Sequence, residues 1–95
     1  MGKKDKKVES AAPLSESEKF KEEGNKAFMD KKYESAVDFY TSAIEASPSP
    51  NAIYFANRAN ALHKLGDFQK SIENCEEAIA ADKTYVKAYY RKALA

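Results

Sequence analysis

Apolar and small residues recur along this chain with a helical period, and the pattern itself repeats. Tyr33, Ala36, Val37, Tyr40, Ala43 and Ile44 are spaced by threes and fours, which places them on one face of a helix. Phe68, Ser71, Ile72, Cys75, Ala78 and Ile79 keep the same spacing 35 residues later. A second stripe precedes each set. Phe20, Gly24 and Ala27 match Phe55, Ala59 and Leu62 at that shift, and Tyr89 and Ala93 follow Phe55 and Ala59 by 34 residues. Strand-like alternation is absent. The pattern predicts two pairs of A and B helices followed by a lone third A helix. The breaks agree: DKKY and LGDF are short turns within the pairs, while SPSPN and DKTY separate one pair from the next. Pro48 and Pro50 cannot continue a helix, because proline lacks the N–H and its ring clashes with the preceding turn. Ser15 with Glu18 three residues later reads as a capping box that starts the first helix. Residues 1–14 form a tail expected to be disordered, and 15–95 the folded domain. Its repeats run over 17–50 and 52–85, with a partial third over 86–95.

One small residue sits at the same place in each A helix (Gly24, Ala59, Ala93) and in each B helix (Ala43, Ala78). Small side chains let helix axes approach, and Phe20, Phe55, Tyr89, Tyr33 and Phe68 are expected to fill the remaining gaps as core. Stacked pairs of this kind form a solenoid whose A helices line one concave surface. At about 100° per residue, a second face of each A helix points away from the packing stripe. That face carries Lys21 and Asn25 with Glu18 and Glu22 on the first, Asn57 and Asn60 with Ile53 and Ala56 on the second, and Lys87 and Arg91 with Tyr90 on the third. Lys21, Asn25, Asn57, Lys87 and Arg91 are therefore expected to converge on one groove. Three cations and two amide donors in one groove suit a carboxylate, since Lys and Arg supply charge-assisted hydrogen bonds and Asn donates without adding charge.

The repeat resembles the tetratricopeptide repeat, a helix–turn–helix unit of about 34 residues. In FKEEG, F-x-x-x-G stands where the family has W-x-x-L-G; Ala36-x-x-x-Tyr40 stands for A-x-x-x-F; Pro48 closes the first repeat. Glu23 and Arg58 depart from the family at its usual Leu position, and Lys83 replaces the second repeat's Pro. The resemblance covers about residues 17–95. It implies an all-α, right-handed α-solenoid of two full repeats plus the first helix of a third.

The groove residues resemble those of the dicarboxylate-clamp domains of chaperone cofactors: Lys21 and Asn25 in FKEEGN, Asn57 in FANRA, and Lys87 and Arg91 in VKAYYRKA. The resemblance implies a protein-interaction module for the C-terminal Glu-Glu-Val-Asp of heat-shock protein 90, heat-shock protein 70 or both. Lys21, Asn25 and Asn57 would hold the main-chain carboxylate, and Lys87 and Arg91 the Asp side chain and peptide backbone. Phe28, Ile53, Ala56 and Asn60 would form a secondary pocket for the Val, although Asn60 is polar where many such domains are apolar. Similar clamps precede the catalytic domain of tetratricopeptide-containing serine/threonine phosphatases. The alternative is therefore a regulatory fragment of such an enzyme, non-catalytic by itself.

Composition narrows the remaining classes. The 95 residues suffice for one small domain. With 33% charged residues and a formal net charge of +1, bulk electrostatics do not favour nucleic acid. The one uneven stretch is residues 1–12, where four lysines face Asp5 and Glu9. A single cysteine, Cys75, allows no internal disulfide and fits a reducing compartment. No apolar run approaches the roughly 18 residues of a membrane span, and the basic start lacks the apolar stretch of a signal peptide. The cytoplasm is the expected location, with the nucleus open and no membrane partner expected. His63, the only histidine, has no partners at triad or zinc spacing, and three glycines form no phosphate loop. No enzymatic activity, metal or cofactor is expected. The third A helix has no B helix to cover it, so the chain reads as a truncated one whose last helix frays or pairs with a second copy.

Overall fold

The computed structural model describes residues 14–85. The tail over residues 1–13 and residues 86–95, which hold the expected third A helix and its proposed self-association, lie outside that range. Within it stand four helices: α1 (Glu16–Met29), α2 (Tyr33–Ala46), α3 (Ala52–Lys64) and α4 (Phe68–Ala81). No strand occurs among the described residues. α1 packs on α2, α2 on α3 and α3 on α4, which is the stacked all-α arrangement the doubled pattern predicts.

Side chains at the helix starts satisfy the first orphan N–H groups. Ser15 Oγ accepts from the Glu18 N–H at 3.2 Å, Asn51 Oδ1 from Ile53 N–H at 2.9 Å, and Asp67 Oδ1 from Lys70 N–H at 3.3 Å. α2 starts at Lys32 with no side-chain cap. The expected capping box is only half made, because the Glu18 carboxylate is engaged on another helix.

The two A-to-B turns are built alike. Among the described residues, Lys31 and Gly66, 35 positions apart, are the two with positive φ, at 62° and 84°. Each turn closes with a matching pair of backbone bonds. Lys31 N–H donates to Phe28 O at 2.9 Å and Lys32 N–H to Ala27 O at 2.8 Å; Gly66 N–H donates to His63 O at 3.0 Å and Asp67 N–H to Leu62 O at 2.9 Å. A left-handed C-terminal residue reverses the chain after each A helix.

Between the helices the packing surface is mostly alanine. Ala36, Ala43, Ala59, Ala61 and Ala78 are fully buried. Gly24 lies directly under the Tyr40 ring, where an added Cβ would stand 2.5 Å from Cε1. The repeat-equivalent pair is Ala59 and Cys75, so a smaller partner on the B helix goes with a larger residue on the A helix. Ser71 Oγ donates to the Ala59 carbonyl at 2.9 Å inside the second pair.

The aromatic rings are distributed differently from the sequence expectation. Phe20, Phe55 and Tyr33 are only half-buried and Phe68 is 48% exposed, whereas Tyr40 and Tyr54 are enclosed at 2%. The physical reason is the close approach of alanine-lined helices, which leaves little room for further rings between them. Tyr33 and Phe68, the first residues of the two B helices, instead clasp the ends of the A helices. Tyr33 meets Phe28 edge-on at 5.2 Å, and Phe68 meets His63 in the same way at 5.0 Å.

Two substitutions test this account by chemical denaturation. Gly24→Ala gains up to about 1 kcal/mol of helix propensity. It must also displace the Tyr40 ring from the core at about 1–3 kcal/mol and weaken that residue's hydrogen bond to Asn25. A net loss of about 1–2 kcal/mol is expected. Lys31→Gly relieves a left-handed backbone at an exposed turn and should gain about 0.5–1 kcal/mol, after the extra freedom of glycine in the unfolded chain is counted.

Candidate functional site

The outward face of α1 is tied to α3 by one carboxylate. Lys21 Nζ lies 2.9 Å from Glu18 Oε1, one helical turn away. The second Glu18 oxygen accepts the hydroxyl of Tyr54, from α3. That hydroxyl also lies 3.2 Å from the Oγ of buried Ser17, which in turn is 3.1 Å from Ser15 Oγ. The Tyr54 bond, and then Lys21, hold the Glu18 carboxyl below its ordinary pKa. Glu18 raises the Lys21 ammonium above its own, and burial followed by the Glu18 bond raises the Tyr54 phenol.

Asn25, one turn beyond Lys21, accepts the Tyr40 hydroxyl on Oδ1 at 2.7 Å. Burial pushes the Tyr40 phenol up to about 12, so it stays a donor at any physiological pH. The bond orients the exposed Asn25 amide and leaves its NH2 group to donate elsewhere. Lys21 and Asn25 thus present an ammonium and an amide donor on one helix, both backed by fixed partners.

On α3, Asn57 is half-buried and Ile53 exposed. Ile53 lines a shallow hollow of about 350 Å³ with Pro50, Asn51, Asp82 and Tyr85. Ala56 is buried with Ala52 and Ala78. Phe28 packs against the first core cluster and the Tyr33 ring. Asn60 is half-buried, and its Oδ1, like His63 Nδ1, is a buried polar atom with no hydrogen-bond partner. Lys87 and Arg91 lie outside the described residues. Among the described residues, no group of three or more His, Cys, Asp or Glu could hold a metal, and no helix is long and apolar enough to cross a membrane.

Two residues matter more here than sequence reasoning indicated. Tyr54 has no aromatic counterpart in the first repeat, where Lys19 takes its place, so periodicity could not single it out. Arg58, a departure from the repeat pattern, is half-buried and joins three helices. Its Nε donates to Asn74 Oδ1 at 2.7 Å, its Nη1 to Thr41 Oγ1 at 3.1 Å, and its guanidinium stands 5.8 Å from the Phe55 ring centre. Burial lowers its pKa. Its departure from an apolar position was the available signal.

Comparison with known proteins gives a consistent picture. The family profile described as tetratricopeptide repeat matches residues 52–85. The heat-shock protein cognate co-chaperone sgt12 of Aspergillus fumigatus is 43% identical over 86 residues, which is 90% of this chain and 25% of that protein. Human serine/threonine-protein phosphatase 5 is 41% identical over 80 residues, 84% of this chain and 16% of that protein. The chain therefore spans a quarter or less of these relatives. Among solved structures, the Sgt2 TPR domain of Aspergillus fumigatus superposes with a TM-score of 0.80 at 44% identity, covering 90% of this chain and 56% of that one. The second TPR of Spaghetti (RPAP3), bound to the HSP90 peptide SRMEEVD, gives 0.79 at 36% identity, covering 82% of this chain and 71% of that one. The second TPR domain of human RPAP3, in complex with the HSP70 peptide SGPTIEEVD, gives 0.76 at 37%, covering 80% and 62%.

The link from Tyr54 to Glu18 has a measurable pH signature. Tyr54→Phe should cost about 1–2 kcal/mol in urea denaturation at neutral pH, the low end for a bond to a charged group because Glu18 keeps Lys21 and some solvent. A carboxyl whose folded pKa is depressed stabilises above its unfolded pKa and loses that contribution as pH falls through the folded value. The difference between wild type and variant should therefore be full at pH 7 and narrow below about pH 4.5, the ordinary value for this carboxyl.

Proposed function

The chain belongs to the tetratricopeptide-repeat family, and from that premise we propose that it is a co-chaperone-type binding module that captures the acidic C-terminus of a heat-shock chaperone. The observation that carries the reading is the match between its polar A-helix residues and the ligands of its structural neighbours. Lys21, Asn25, Asn57, Lys87 and Arg91 form a donor set for two carboxylates. Two similar domains, at 36% and 37% identity, are described with peptides ending in Glu-Glu-Val-Asp. A terminal Asp offers two carboxylates on one residue. Lys21, Asn25 and Asn57 take the main-chain carboxylate; Lys87 and Arg91 take the side chain and the preceding backbone. Of the four pocket residues, Ile53, Asn60 and Phe28 keep surface available to the Val, whereas Ala56 is buried with Ala52 and Ala78.

The orientation of Asn25 supports its role, because Tyr40 occupies its carbonyl oxygen and leaves the amide to donate. The likeness to phosphatase 5 covers 16% of that protein, and nothing in the proposed binding needs a catalytic step.

A handful of charge-assisted bonds to a short peptide suggests micromolar affinity, about −8 kcal/mol. Each such bond contributes about 1.5–3 kcal/mol, so Lys21→Ala and Lys87→Ala should each weaken SRMEEVD or SGPTIEEVD at least about tenfold in calorimetry. Amidating the peptide C-terminus should weaken binding comparably. Peptides that bind equally well with a free or an amidated terminus would refute the clamp.

A further inference from the structure

We infer that Glu18 is an internal carboxylate that occupies one side of Lys21 and moderates how strongly the site takes a carboxylate from outside. The inference rests on the clamp reading for its ligand, and on the geometry around Lys21 for its mechanism.

α1 holds two ion pairs of the same spacing, and they differ in kind. Lys26 and Glu23 stand 3.5 Å apart with side chains 72% and 52% exposed, an ordinary solvated pair of little consequence. Lys21 and Glu18 stand 2.9 Å apart with side chains 20% and 35% exposed. Glu18 is further fixed by Tyr54, a ring enclosed on another helix, so its carboxylate cannot swing away without breaking a bond across the fold. The repeat-equivalent positions on α3 are Ile53 and Ala56, which carry no charge, so the arrangement is a property of α1 and not of the repeat.

An ammonium has three donors, and Glu18 uses one. Two remain for an incoming carboxylate, so Glu18 does not block the site. It cancels most of the charge that such a carboxylate would otherwise feel, and Glu22 adds a further negative field. Lys21 then rewards a correctly placed hydrogen-bond acceptor more than a diffuse negative charge. Holding the lysine in place works in the opposite direction, by sparing the ligand the ordering of a long side chain. The charge effect outweighs it, because the two carboxylates would face each other across one small cation at partly shielded depth.

The test is Glu18→Gln, which keeps an acceptor for Tyr54 while removing the charge. Thermal melting at neutral pH verifies that the variant folds. In calorimetry with SRMEEVD, the free-acid peptide should bind about fivefold more tightly to the variant, with a steeper loss on adding salt. The amidated peptide should change much less. Weaker or unchanged binding of the free acid would overturn the inference and assign Glu18 a purely positioning role. If neither form binds wild type, the clamp reading fails by itself, and a second measurement still decides the role of Glu18. Acylation by an N-hydroxysuccinimide ester, read by mass spectrometry, should speed up at Lys21 by about threefold relative to Lys26 in the variant, because losing Glu18 lowers the lysine pKa. An unchanged ratio would overturn the inference.

Discussion

Everything in this fold depends on how closely neighbouring helices can approach. Ala36, Ala43, Ala59, Ala61 and Ala78 present almost no side-chain bulk, and Gly24 presents none beneath the Tyr40 ring. Close axes bring backbone and side-chain groups of different helices within hydrogen-bond reach, as with Ser71 Oγ on the Ala59 carbonyl. The same closeness limits how many large rings can lie between the helices, which is why Tyr33 and Phe68 act as clasps at the helix ends.

A thin, alanine-rich interface yields modest hydrophobic stabilisation per residue. Polar ties supplement it at defined points. Arg58 draws together α2, α3 and α4 through Thr41 and Asn74, and Tyr54 draws α1 to α3 through Glu18 and Ser17. Such contacts are directional, so they set the rotation of one helix against the next as well as adding stability. The carboxylate that the Tyr54 tie holds is the same one that engages Lys21.

The two repeats share a frame but differ at particular positions. Lys31 adopts the backbone that Gly66 adopts in the second repeat, and His63 stands where Phe28 stands in the first. Glu18 and Lys21 stand where α3 carries Ile53 and Ala56. Membership of the tetratricopeptide-repeat family accounts for the shared frame. The charged pair on α1 is superimposed on it.

By itself the sequence determined the number and order of the described helices, their two tight turns and the small residues at their contacts, because each is written locally in spacings of three and four and in proline and glycine. It also marked Lys21, Asn25 and Asn57 as polar residues on outward helix faces. What it could not determine was the pairing across helices: that Glu18 would leave its own capping box for Tyr54, that Tyr40 would orient Asn25, and that Arg58 would reach both Thr41 and Asn74. Periodicity specifies which side of a helix a residue lies on. Which residue it meets depends on how far each helix is turned and shifted against its neighbour, and only the packed tertiary structure decides that.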